Sequence, residues 1–202
     1  MGKLTIDKNH IYRWDGIIIP GVTEILSAVG IVDVSAVPTA RLEAARHFGI
    51  AVHRACELYD RGLLAEDILD VNLRPYLAGW ALFRQEYGFV PDNNGIEKSL
   101  FSSRYRFAGT IDRFGKCRID NTLIIVDIKS GVEVPSVPVQ MAAYEILVRE
   151  TSGISPLKTR RLGIYLDKNG TYKIRDYKDK LDANIFLSTL SIYNWRKKWI
   201  PK

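Results

Sequence analysis

Cysteine is scarce in this chain: among 202 residues there are two, Cys56 and Cys117, far apart in sequence. A structural zinc site or an iron–sulfur cluster draws on four protein ligands, so no iron–sulfur cluster is expected. The two thiols sit in helix-like and strand-like surroundings and read as packing residues, with no disulfide expected in a reducing compartment. Long apolar runs are missing as well. None approaches the ~20 residues that cross a bilayer, so no membrane partner is expected. The opening MGKLTIDKNHIYRW lacks the basic and apolar segments of a secretory signal, and it is not Arg/Ser-rich like a transit peptide. A cytoplasmic location is the expectation. There is no GxxxxGK[ST] phosphate loop and no helicase motif, so any ATP-driven step would belong to a partner protein. Internal repeats, low-complexity tracts and Gly/Ser linkers are also absent, which favours one unit over residues 1–202.

What the chain does have is enough apolar residue, 47%, for a substantial core, and a formal charge of +6. The excess is uneven. Residues 155–202 hold twelve Lys and Arg against four Asp, a net +8. Such a surface suits a polyanion, although a solvated, solubilising face has the same composition.

Periodicity divides the chain into elements. Residues 4–19 alternate as a hairpin, LTIDKN then HIYRWDGIII. GVTEILSAVG (21–30) reads as a short helix capped by Thr23. After a loop over 31–38, Thr39 would cap a helix that stops near Gly49, with a second helix over 49–62. Pro75–Tyr87 forms another, whose Tyr76, Trp80, Phe83 and Tyr87 stripe reads as core rather than a base-stacking platform. PDNNG (91–95) reads as a loop. Three strands follow, EKSLFS, YRFAGTIDRFGK and NTLIIVDIKS, then a helix over 139–150. A strand over 159–170 turns at Asn169–Gly170 into TYKIRDY, and a helix over 182–199 ends the pattern. The class is α/β: a mixed central sheet flanked by helices, with an N-terminal hairpin and helical region over 1–90 and a core over 91–202.

The chemistry gathers between Tyr105 and Ser130. Strand side chains alternate, so Asp127 and Lys129 share a face while Ile124, Val126 and Ile128 take the other. Asp112, in Gly109-Thr110-Ile111-Asp112, shares its face with Thr110. Taken alone, Asp112 could cap a turn, and Asp127 with Lys129 could be a cross-strand ion pair. Together, two carboxylates in a partly buried place repel, and a cation relieves them. Hard oxygen ligands favour Mg²⁺ or Mn²⁺.

GTID, then VDIKS fifteen positions after Asp112, then VPVQMAAYEIL resembles the PD-(D/E)XK nuclease superfamily and, within it, the RecB-type exonuclease branch. Gly49 and His53 match that branch's Gly-x-x-x-His helix. Gly21-Val22-Thr23-Glu24-Ile25-Leu26 is similar to the N-terminal element of the mitochondrial genome maintenance exonuclease and its phage relatives, with Gly where they carry Ser. The resemblance covers residues 20–150. It implies a restriction-endonuclease-like core, with His53, Asp112 and Asp127 holding the metal and the Ile128 carbonyl completing the site. Lys129 would orient or deprotonate the attacking water. Glu97 matches an acidic position upstream of the GTID strand. Gln140 and Tyr144 match a Gln-x-x-x-Tyr helix that contacts the DNA backbone, and Ser130 and Thr110 would lie near the scissile phosphate. His10 and His47 match nothing and read as surface or packing residues.

The function so implied is a Mg/Mn-dependent exonuclease acting at single-stranded or duplex DNA ends in recombination, repair or phage DNA processing, using one or two ions. Its setting would be the cytoplasm of a bacterial or phage-infected cell, with a recombination or replication protein as partner. The alternatives are an endonuclease or resolvase on the same fold, an inactive DNA-binding recombination factor, and a metal protein that is not a nuclease.

Overall fold

The computed structural model describes residues 2–33, 37–152 and 159–200. The N-terminal segment forms three short antiparallel strands, β1 (Leu4–Ile6), β2 (Tyr12–Trp14) and β3 (Ile17–Ile19), in that order. One hairpin was expected; a second reversal at Asp15–Gly16 makes it a meander. Both turn residues have positive φ, 49° and 81°. Asp-Gly is a pair that tolerates this conformation in a two-residue turn.

Helix α1 (Val22–Val29) is capped at Gly21, not at Thr23: the Glu24 carboxylate accepts the Gly21 N–H at 3.3 Å. Helix α2 (Thr39–Asp60) is continuous, where a break near Gly49 was expected. A mid-helix glycine costs only ~1 kcal/mol relative to alanine. Buried Val52, Ala55 and Cys56 anchor the following turns. Thr39 is the first helical residue, and no side chain caps this end. After a 3₁₀ turn at Glu66–Ile68 comes α3 (Arg74–Tyr87), with Pro75 in its first turn and left-handed Gly88 at its end. Trp80 and Phe83 are fully buried, so the aromatic stripe is core, as expected.

Five strands form the central sheet in sequence order: β4 (Phe89–Ser102), β5 (Phe107–Cys117), β6 (Leu123–Lys129), β7 (Thr159–Leu166) and β8 (Tyr172–Asp176). The PDNNG stretch is not a loop but lies within β4, where the register against β5 shifts between Pro91 and Ile96. A bulge of this kind absorbs residues that cannot pair. Only β6 and β7 run parallel. Parallel neighbours need a crossover, and α4 (Val137–Ser152) lies on it. Helix α5 (Leu181–Trp199) packs on α1 and α4.

The sheet is covered on both faces. Ile25, Phe107, Ile111, Ile125, Leu147 and Phe186 fill one side, between the sheet and helices α1, α4 and α5. Trp80, Phe83, Ile124, Val126 and Ile128 fill the other, beneath α2 and α3. Strand β6 therefore feeds alternate residues to two cores, which explains its near-continuous apolar run. The meander sits on the end of β4 and β5 through Tyr12, Ile19, Phe101 and Ala108. The architecture is the expected mixed α/β one. Among the described residues no helix is long and apolar enough to cross a membrane.

Candidate metal centre

The site begins with an irregularity in β5. Ile111 packs into the core under α1 and α4, yet Arg113, two residues on, reaches Asp60 of α2 and the Trp80 ring of α3 on the opposite face. A regular strand would put both on one face. The paired residues of β5 and β6 end at Arg113 and Val126. Beyond them the Ile128 N–H donates to the Asp112 carboxylate, Oδ2, at 2.7 Å instead of to a backbone carbonyl. Asp112 is thus held by a side-chain-to-backbone bond where the ladder stops.

Helix α2 lays His53 across the same end of β6. Its Nε2 lies 2.8 Å from the Ile128 carbonyl oxygen. A carbonyl only accepts, so Nε2 is the donor in this bond, and in the neutral ring Nδ1 carries the lone pair. Nδ1 faces Asp112 Oδ1 at 3.6 Å and Glu97 Oε1 at 3.9 Å. Metal-binding histidines are oriented in this way, through a hydrogen bond from the other ring nitrogen.

Glu97 completes the group from β4, just past the bulge, with φ of 48°. That left-handed conformation is strained for a residue other than glycine, and it swings the carboxylate off the regular strand pattern. Ligand atoms of His53, Glu97 and Asp112 all lie within 4.8 Å of one another. Burial, reinforced by the neighbouring Asp112 charge, pushes the Glu97 carboxyl up to about 7. Two carboxylates crowded with one imidazole nitrogen are a hard donor set that suits a divalent cation.

Asp127 and Lys129 stand beside this group as an ion pair, Oδ2 to Nζ 2.8 Å. Burial raises the Asp127 pKa and Asp112 adds to it, against the pull of Lys129. Burial alone would lower the Lys129 pKa, but Asp127 and Asp112 outweigh it and hold the amine protonated.

The expected ligands all lie in this region, in two different settings. Among the described residues the converging ligands are His53, Asp112 and Glu97, with the Asp127 carboxylate engaged by Lys129. The Ile128 carbonyl, expected as a ligand, lies against the His53 ring.

The other expected residues fall nearby in different settings. Tyr144 and Thr110 line the same cleft of about 530 Å³ as His53, Glu97 and Asp112. Gln140 Nε2 donates to the Tyr144 hydroxyl at 2.8 Å. Burial, then the charges of Asp127 and Asp112, hold the Tyr144 hydroxyl well above its usual pKa. Thr110 Oγ1 lies between the Tyr12 hydroxyl (2.9 Å) and Ser99 Oγ (2.8 Å). Ser130 rests against Gly49 of α2. Cys56 and Cys117 are both buried free thiols.

Sequence reasoning passed over the groups that hold the site from behind. Arg113 is fully buried. Its Nε meets Asp60 Oδ2 at 2.5 Å, its Nη1 meets Glu97 Oε1 at 2.9 Å, and Nη1 also donates to the Asp112 carbonyl. Asp60 is held in turn by Trp80 Nε1 at 2.9 Å and Arg84 Nη1 at 2.7 Å. The available signal was an arginine directly after Asp112 in a strand buried on both faces; Asp60 gave none. His10, Arg46 and Arg54 also line the cleft, and His10 was expected to have no such place.

No protein family matches the chain, and no curated protein matches it. Among solved structures, one similar chain is described as a "Putative exonuclease" from Eubacterium rectale, at 12% identity and a TM-score of 0.49. The match covers 73% of this chain and 65% of that one, so it spans less than two thirds of the relative's length. A likeness this slight carries no argument about activity.

Proposed function

We propose that this chain is a metal-dependent deoxyribonuclease, an exonuclease working from DNA ends in recombination, repair or phage DNA processing. The observation that carries this reading is the convergence of His53 Nδ1, Glu97 and Asp112 beside the Asp127–Lys129 pair. The donor set fits Mg²⁺ or Mn²⁺, one ion or two. A cation bound there would polarise a phosphoryl oxygen and make a bound water more acidic.

The remaining work falls to the chain's own groups. The Ile128 carbonyl and N–H orient His53 and Asp112 respectively. Lys129, held protonated by its acidic neighbours, orients the attacking water and offsets charge developing on the phosphate; it is a poor proton acceptor in this setting. Tyr144 accepts a hydrogen bond from Gln140, which leaves its own O–H to donate to a backbone phosphate oxygen. Thr110, in the cleft, and Ser130, beside Gly49 of its wall, add hydroxyls, and Arg46 of the lining adds positive charge. The reading treats residues 1–202 as one nuclease unit in the RecB-type branch, since His53 comes from the first ninety residues and Glu97 and Asp112 from the rest. Its setting is the cytoplasm, with a recombination or replication protein as partner.

The test is Mn²⁺-dependent digestion of end-labelled single-stranded DNA, duplex DNA and covalently closed circles, with Asp112→Asn and Lys129→Ala alongside. End-labelled strands should shorten while circles survive, and both variants should bind DNA without cutting it. Cut circles would point to an endonuclease. Binding by the wild type with no cleavage of any substrate would point to an inactive DNA-binding factor.

A further inference from the structure

Helix α5 buries one face and leaves the other bare. Phe186, Leu190 and Tyr193 face the core, whereas Leu181, Ile185, Ile192, Trp195 and Trp199 are exposed. At 3.6 residues per turn these five fall on a single stripe. Its aromatic members lie at the C-terminal end: Trp195 is 56% exposed and Trp199 62%. They stand one turn apart on the same side, with Arg196, Lys197 and Lys198 between them in sequence and Lys198 Nζ 4.7 Å from the Trp199 ring.

This end of α5 is tied to the cleft. Arg196 Nη1 donates to the Ala28 carbonyl in the last turn of α1, and the Tyr193 hydroxyl donates to Glu24 in its first turn. Thr23, in that first turn, lines the cleft. The C-terminal half of α5 and the cleft thus share α1 as a common support.

Charge decides what the stripe would take. A second copy packed parallel would oppose Arg196, Lys197 and Lys198 with themselves. Packed antiparallel, it would set them against an end of mixed sign, Lys178 and Lys180 with Asp179 and Asp182. Like charges meet in the parallel arrangement, which disfavours it, and the antiparallel one offers three cations only a mixed partner. A polyanion with flat apolar faces has the complementary chemistry: phosphates for the cations and bases for the two indoles.

We infer that the Trp195–Trp199 end of α5 is a stacking platform for single-stranded nucleic acid, which leads the strand past α1 to the cleft. The inference rests on the nuclease reading for its direction but not for its binding. It is tested by anisotropy of labelled oligothymidylate in EDTA, where no metal-dependent cleavage occurs. Trp195→Ala/Trp199→Ala should weaken binding at least about tenfold. Trp195→Phe/Trp199→Phe should retain most of it. Lys197→Ala/Lys198→Ala should reduce the slope of log affinity against log salt by about 1.4. The exposed positions make misfolding of these variants checkable by an unchanged circular-dichroism melt. Unaltered binding in the double alanine variant would overturn the platform. So would wild type that sediments as a dimer and becomes monomeric in that variant, or tight binding of an acidic peptide in preference to oligothymidylate. Platform and nuclease can fail separately: loss of binding in the tryptophan variant with a wild type that never cuts leaves the platform standing, and the reverse leaves only the nuclease.

Discussion

Arg113 has no contact with solvent, and its charge is balanced by Asp60 and Glu97. Breaking a buried pair by removing one partner leaves an uncompensated charge. Arg113→Met should therefore cost about 3–5 kcal/mol in urea unfolding. Arg113→Lys keeps the charge but loses the fork that reaches both Asp60 and Glu97. It should recover part of that stability yet still weaken Mn²⁺ binding, measured calorimetrically, by about tenfold. Glu97 supplies a pH test. Its carboxyl rises from the ordinary 4.5 to about 7 in the folded chain, chiefly through burial. Between those values the folded state binds more protons than the unfolded one, so this group's contribution is full below 4.5 and is lost as pH rises through about 7. In EDTA the melting temperature should fall more steeply from pH 5 to 8 in wild type than in Glu97→Gln. A divalent cation should offset the loss at the upper end. Identical slopes in the two proteins would refute the assignment. At this scale the sequence disclosed Asp112, Asp127 and Lys129 as special, because charge interrupting an apolar strand is visible in one dimension; His53 stood out only through its resemblance to a Gly-x-x-x-His helix. That Glu97 would lie beside His53 was not visible there, since that depends on a left-handed Glu97 and on how the chain turns after the bulge.

At the scale of elements, the close approach of α4 to β5 is set by Gly109. A Cβ there would meet Tyr144 Cε1 at 3.0 Å, Val22 Cγ2 at 3.1 Å and Leu147 Cδ1 at 3.2 Å. Gly109→Ala should destabilise the fold by about 1–3 kcal/mol, the usual cost of overpacking. It should also impair DNA cleavage more than metal binding, because the displaced group is Tyr144 rather than a ligand. Denaturation together with calorimetry would check both. The order of elements from residue 74 onward was legible, since helical and strand periodicities are local and strong there. The errors share a cause. Asp15–Gly16 splits an alternating run whose pattern continues across the turn. Gly49 and the PDNNG stretch carry breaker residues, but a long buried helix and a paired strand overrode those weak local signals.

For the whole molecule, cleavage that starts at ends should spare covalently closed circles and should begin on the same DNA once it is nicked or linearised, as a gel time course would show. Binding should also weaken steeply with salt, given the +6 charge and the +8 held by residues 155–202. The sequence by itself determined the α/β class, the strand carrying Asp127 and Lys129, the basic C-terminal region and the absence of a four-cysteine cluster. Each of these follows from composition or from periods of two and 3.6 residues. Only the tertiary structure decided that a helix residue at 53 and strand residues at 97 and 112 meet. It also decided that Arg113 and Asp60 brace them, and that α5 keeps its two tryptophans exposed. Those outcomes depend on where β5 parts from β6 and how closely the helices approach the sheet, which are sums over contacts distant in the chain and leave no periodic trace in it.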